Sequence, residues 1–181
     1  MSRFKKQSKE SEVYSLSDKF ERVLSYVYSR RWLVAALMAL SHLCVAVSVA
    51  AYGYLLYYHL MTSLTVLCVF AAVTAIPFFA VTLLRRVINS PRPYEVSRLF
   101  EIPPKDTRGR SFPSRHVYSA FSVLVPFFAV NLELGVGFLV IALLMSAARV
   151  LLGYHFIRDV VAGLLMGLIS GGLCILTLYM L

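Results

Sequence analysis

Ionisable side chains open an apolar segment near the middle of the chain. The stretch GRSFPSRHVYSAF (109–121) places Ser114, Arg115 and His116 at the start of a run of aliphatic and aromatic residues. Pro113 suits the first turn of a helix, where free backbone N–H groups bind anions. Ser114 adds a hydroxyl donor, and a histidine such as His116 can donate a proton. We therefore predict an anion-binding helix start here.

Two further clusters border apolar segments: Arg85 and Arg92 in RRVINSPRP, and Arg149, His155 and Asp159 in ARVLLGYHFIRD. If the segment around His155 is helical, Asp159 lies four residues further along the same face. Its carboxylate can then bond one imidazole nitrogen, fix the tautomer and make the other nitrogen more nucleophilic. Arginine forks match phosphate oxygens. The three clusters together predict a site for a phosphate dianion.

The composition places this site in a membrane protein. Of the 181 residues, 59% are hydrophobic and 15% are charged. Residues 32–84 and 160–181 contain no Asp, Glu, Lys or Arg. A helix needs roughly 20 apolar residues to cross the hydrocarbon core, and buried helices of soluble proteins seldom reach that length. Ionisable groups at membrane depth are costly, so they suggest function.

These blocks predict an all-α fold, an integral membrane bundle of about five transmembrane helices. The spans are expected at about 32–57, 62–84, 112–132, 134–152 and from near 160 to the C-terminus. We expect residues 1–31 to form a basic tail with an amphipathic interfacial helix and residues 32–181 to form the transmembrane domain. Gly163, Gly167 and Gly171 form a stripe of small residues, which favours close helix packing within the chain over dimerisation.

The amphipathic helix is predicted from apolar residues that share one helical face: Leu16, Phe20, Val23, Leu24, Val27 and Tyr28. Such a helix typically lies in the membrane interface. The alternative is that these residues form the first turns of a longer first span.

Charge is distributed asymmetrically between the two membrane faces. With five spans, all 18 Lys and Arg residues fall on the side of the N-terminal tail or at its boundary, and the net charge is +9. The positive-inside rule places that side in the cytoplasm, so the basic character reflects orientation and not nucleic-acid binding. We expect a multi-pass protein of the cell (plasma or inner) membrane whose site faces the cytoplasm.

The three clusters resemble the motifs of the type 2 phosphatidic acid phosphatase superfamily, membrane lipid phosphatases related to vanadium haloperoxidases. Residues 85–93 match a basic residue, six residues and Arg-Pro; PSRH matches Pro-Ser-x-His; and residues 149–159 match Arg, five residues, His, three residues, Asp. The motifs cover residues 85–159, and the three in this order are highly specific.

The resemblance implies a role for each residue. His155 would attack phosphorus and form a phosphohistidine, with Asp159 orienting it and His116 protonating the leaving oxygen. The phosphate would be held by Arg85, Arg92, Ser114 and Arg149, with no metal and no other cofactor. This chain departs from the family where it has Arg85 for the usual Lys and Arg115 for a common Gly. We expect Arg115 to add a phosphate-binding cation at the pocket mouth, which favours a second phosphate or a more anionic head group.

Several alternatives stay open at this point. The substrate is a glycerophospholipid phosphate, such as phosphatidic acid or phosphatidylglycerophosphate, or a polyprenyl phosphate or diphosphate of carrier-lipid recycling. A non-catalytic lipid-binding scaffold is the alternative outside the enzymes. Lipid phosphate and membrane lipids are the expected partners, and the sequence does not determine the oligomeric state.

Overall fold

The computed structural model describes residues 18–97, 99 and 108–181. That part of the chain is helical and contains no strand. Its helices are α1 (Asp18–Tyr28), α2 (Arg31–Thr62), α3 (Leu64–Ile88), α4 (Pro93–Val96), α5 (Arg115–Val130), α6 (Leu132–Leu151) and α7 (Ile157–Tyr179).

Four helices, α2, α3, α6 and α7, are long and apolar enough to cross a membrane. Helix α5 is also apolar but has only 16 residues. The prediction of a bundle of about five apolar helices is confirmed, and α5 is its short member. It begins later than predicted because Ser114 is its N-cap, with extended backbone angles.

Helix α1 is separate from the first span. Arg30 has extended backbone angles between α1 and α2, and this ends the first helix. Leu24 and Val27 on its apolar face are buried, at 0% and 3% exposure, so that face packs against the bundle. The structure thus confirms a separate amphipathic helix. Leu16, assigned to the same face from the sequence, lies outside the described residues.

Helix α5 occupies the middle of the bundle and makes its closest approach to α7. A Cβ atom built on Gly163 would lie 2.5 Å from the carbonyl oxygen of Ser114, and one on Gly167 would lie 2.6 Å from that of Tyr118. Only hydrogen fits in that space. The glycine stripe therefore packs within the chain, as predicted, and holds the beginning of α7 against the beginning of α5.

This packing predicts different effects for two glycines of α7. Gly167→Ala should lower the melting temperature in detergent, because overpacking a tight contact costs roughly 1–3 kcal/mol. Gly172→Ala is the matched control, since a Cβ there meets no atom within 4 Å. Thermal unfolding followed by circular dichroism compares the two. Equal melting temperatures would contradict the packing described here.

Candidate active site

The residues predicted from the three sequence clusters meet at one end of the bundle. The end of α3, the beginning of α5, the end of α6 and the beginning of α7 all lie there. Their side chains are largely hidden from solvent: Ser114 and Asp159 are 0% exposed, His155 1%, Arg149 5% and Arg85 9%, whereas Arg92, Arg115 and His116 are partly buried.

His155 lies in the short loop between α6 and α7. Gly153 adopts a left-handed conformation there, with φ of +65°, which glycine accepts without strain. The loop then turns back, and the N–H groups of Tyr154 and His155 donate to the carbonyl oxygen of Arg149 at 3.0 and 3.3 Å. The loop is therefore closed onto the end of α6.

The pairing of His155 with Asp159 differs from the sequence prediction in one respect. Helix α7 begins at Ile157, so His155 precedes it and the two residues do not share a helical face. His155 Nδ1 lies 3.7 Å from Asp159 Oδ2, which is longer than a hydrogen bond. The two side chains are neighbours because the loop folds over the first turn of α7.

Ser111 connects these two side chains and was missed by sequence reasoning. Its hydroxyl is fully buried, donates to Asp159 Oδ2 and lies 3.4 Å from His155 Nδ1. A serine hydroxyl can donate one hydrogen bond while it accepts another. With Nδ1 protonated, the chain His155–Ser111–Asp159 leaves the lone pair of Nε2 free. The only sequence signal was its position two residues before the Pro-Ser-x-His motif.

Asp159 also joins the two helix starts that frame the site. Its Oδ2 accepts a hydrogen bond from the N–H of Phe156 at 3.0 Å and so caps α7. Its backbone carbonyl accepts from the N–H of Ser114 at 2.9 Å and so fixes the start of α5. Arg158 Nε lies 3.6 Å from the other carboxylate oxygen. One residue therefore sets the position of both helices.

The two arginines of the first cluster are held by backbone carbonyls of the segment before α5. Arg85 donates to the carbonyl of Arg110, and Arg92 Nε donates to that of Gly109 at 3.0 Å. Glu95 accepts from the N–H of Gly109 at 2.7 Å. These contacts hold both guanidinium groups beside the loop of His155.

Four side-chain polar atoms of the site have no hydrogen-bond partner within residues 18–97, 99 and 108–181: Ser114 Oγ, His116 Nδ1, Arg149 Nε and Asp159 Oδ1. The first N–H groups of α5 also lack partners inside the helix. The charges that act on His155 include the cations Arg92 and Arg85 and the carboxylate of Asp159. The arrangement suits an anion with several oxygens, since buried donors need acceptors.

The environment of His155 keeps its imidazole neutral. Burial lowers the pKa of His155 to about 4, and the positive charges of Arg92 and Arg85 act in the same direction, against the carboxylate of Asp159. At neutral pH the ring therefore carries one proton and one lone pair. A neutral imidazole can act as a nucleophile, and a protonated one cannot.

An apolar cavity of about 520 Å³ reaches the site from the side of His116 and Arg115. Helices α2, α3 and α5 form most of its wall, which includes Val49 and Phe79. These two side chains are also 66% and 67% exposed on the outer surface of the bundle. The cavity therefore leads from the lipid-facing surface to the ionisable groups.

The site thus combines a buried histidine with several arginines, and it lies beside an apolar cavity in a bundle of apolar helices. The PAP2 superfamily profile matches residues 64–181, more than half of the chain. The chain belongs to this superfamily. The three motifs lie within the matched residues.

Two solved structures have the same fold. LpxE from Aquifex aeolicus is 22% identical, with a TM-score of 0.66, and the match covers 90% of this chain and 96% of that one. The first transmembrane PAP2 type phosphatidylglycerolphosphate phosphatase from Bacillus subtilis is 21% identical, with a TM-score of 0.65 and coverages of 96% and 92%. No curated protein sequence matches the chain significantly.

Proposed function

We propose that the protein is an integral membrane lipid phosphatase that hydrolyses a phosphate monoester or diphosphate of a lipid. Residues 32–181 carry the phosphatase domain, and residues 1–31 carry the tail and surface helix. The observation that supports this best is the buried, neutral His155 among arginines, in a site whose Arg115 and His116 line an apolar cavity.

In the proposed reaction, Nε2 of His155 attacks phosphorus and the bond from phosphorus to the lipid oxygen breaks. Protonated His116 gives its proton to that oxygen, so the lipid leaves as an alcohol, or as a phosphate if the substrate is a diphosphate. Water then attacks the phosphohistidine and loses its proton to His116. Inorganic phosphate leaves and His155 returns to its neutral form. Ser111 and Asp159 hold the Nδ1 proton throughout.

The phosphate oxygens are bound by Arg85, Arg92, Ser114 and Arg149 in this proposal. Backbone carbonyls already hold Arg85 and Arg92 in place, and Ser114 and Arg149 are buried, so the four can stabilise the charge of the transition state with little rearrangement. The proposal puts the lipid chain in the apolar cavity, and the presence of His116 in the cavity lining supports its role as proton donor to the leaving oxygen.

The chemistry needs no metal in this proposal. Among the described residues, no group of three His, Cys, Asp or Glu side chains could hold a metal ion. We expect purified protein in detergent with EDTA to release phosphate from phosphatidic acid, phosphatidylglycerophosphate or a polyprenyl diphosphate. His155→Ala should abolish release because it removes the nucleophile. A malachite green assay measures the product.

Two serines provide a test variant and its matched control for this assay. Ser111→Ala should lower kcat about tenfold or more, because losing a buried hydrogen-bond partner costs ~1–3 kcal/mol. Ser170→Ala also loses one buried hydrogen bond, to Tyr118, but in the middle of α7, and should leave kcat unchanged. Full activity in His155→Ala would disprove the mechanism. No release from any lipid by the wild type would favour the non-catalytic lipid-binding scaffold.

Arg115 supports a substrate with a second phosphate. Its guanidinium lies 5.5 Å from the ring centre of Phe78, and both residues line the cavity. The positive charge is therefore on the lipid side of the site, between the reacting phosphate and the chain. A polyprenyl diphosphate and phosphatidylglycerophosphate both carry a second phosphate there, and phosphatidic acid does not.

Removing this charge should change substrate preference. We expect Arg115→Ala to lower the ratio of kcat/KM for polyprenyl diphosphate over the monophosphate by about tenfold, the value of one charge-assisted hydrogen bond. The control is Arg86→Ala, which removes an exposed cation from the last turn of α3 and should not change the ratio. An unchanged ratio in Arg115→Ala would show that this residue does not select the second phosphate.

We also propose that the site faces the cytoplasm of the cell, as the positive-inside rule indicates. Single cysteines at Arg108 and Glu133, both exposed and on opposite faces, test this in a background where the exposed Cys68 is alanine. In intact cells, an impermeant maleimide should label Glu133→Cys and should reach Arg108→Cys only after permeabilisation. The reverse pattern would place the site outside.

A further inference from the structure

Helix α1 contacts the loop that carries His155, although it lies far away in sequence. The hydroxyl of Tyr28 donates to the carbonyl oxygen of Leu152 at 3.1 Å. Leu24, one helical turn earlier, is fully buried, and a Cβ on Gly153 would lie 3.1 Å from its Cδ2 atom. Two residues of α1 thus lie directly against the start of this loop.

The opposite side of the loop is held by helix α4. The N–H of Tyr94 donates to the carbonyl oxygen of Gly153 at 3.2 Å. The rings of Tyr94 and Tyr154 pack edge to face, with centroids 6.1 Å apart. Burial raises the pKa of Tyr28 well above its usual value, and its neighbours Tyr154 and Tyr94 act in the same direction. The loop that carries His155 is therefore in contact with α1 on one side and with α4 on the other.

The carbonyl of Leu152 is the first one beyond the end of α6, which is Leu151. Carbonyl groups at the C-terminal end of a helix receive no hydrogen bond from the helix itself, so they need donors from elsewhere. Tyr28 supplies such a donor. Leu152 is three residues before His155, so a change at this carbonyl moves the loop that aims the imidazole.

We propose that Tyr28 is a positioning residue for the nucleophile, and that α1 acts through it and Leu24 to hold the loop of residues 152–156 in its catalytic conformation. This inference rests on the proposed function for its kinetic consequence. Tyr28 does not touch the phosphate; it acts on His155 through the loop backbone.

Tyr28→Phe tests this, because it removes only the hydroxyl. The matched control is Tyr26→Phe, the same change two residues earlier on the same helix, at a side chain that is 58% exposed. Hydrogen–deuterium exchange should show roughly fivefold faster exchange of the Tyr154 and His155 amides in Tyr28→Phe, the factor expected for one lost hydrogen bond. Tyr26→Phe should match the wild type.

The kinetic readout separates positioning from a general loss of stability. With the melting temperature well above the assay temperature, Tyr28→Phe should lower kcat about fivefold and leave KM unchanged. The arginines that bind phosphate stay in place, and a misaligned nucleophile slows only the chemical step. An unchanged kcat, or a loss of activity that follows the fraction of unfolded protein, would overturn the proposal.

A second variant and the exchange measurement cover the remaining outcomes. If Tyr28→Phe does not fold, Leu24→Val, which removes the methyl groups that lie nearest Gly153, gives the same two readouts with the same expected directions. If the wild type releases no phosphate from any lipid, the proposed function fails, whereas amide exchange still decides whether α1 holds the loop. Exchange equal to the wild type in both variants overturns the inference.

Discussion

The buried carboxylate of Asp159 is the group on which the site depends. It accepts hydrogen bonds from the hydroxyl of Ser111 and from the N–H of Phe156. The backbone carbonyl of Asp159 accepts a further hydrogen bond from the N–H of Ser114. An ionised group in a dry interior is stable only when such donors surround it. The same bonds fix the start of α5, the start of α7 and the imidazole of His155. The hydrogen bonds that stabilise the buried charge of Asp159 therefore also set the geometry of the site.

The packing of the apolar helices brings the start of α5 next to the start of α7 at Asp159. Glycines of α7 let its backbone touch that of α5, where Gly163 meets the carbonyl of Ser114. In a bilayer, close van der Waals contact replaces the hydrophobic driving force between helices. This contact lies at the N-cap of α5 and in the second turn of α7. Helix packing and the anion site are therefore coupled.

Much of this could be predicted from sequence. Uncharged stretches of membrane length indicated the helices, and the spacing of basic, serine, histidine and aspartate residues indicated the phosphate site. The short α5 was harder to predict, since its N-cap depends on the backbone angles of Ser114. The predicted i, i+4 pairing of His155 and Asp159 placed the residues together for the wrong reason. The roles of Ser111 and Tyr28 could not be predicted from the sequence, because they arise from contacts between residues 48 and 124 positions apart.

The sequence by itself determined that the protein lies in a membrane, that it is helical, and which residue types gather at one membrane face. These follow from local composition and periodicity, since the bilayer requires every span to satisfy its own backbone hydrogen bonds. Only the tertiary structure decided how His155 is aimed. It lies in a loop held by α1 and α4, with Ser111 between it and Asp159. Such contacts depend on the close approach of distant segments, and no local pattern specifies which of them will meet.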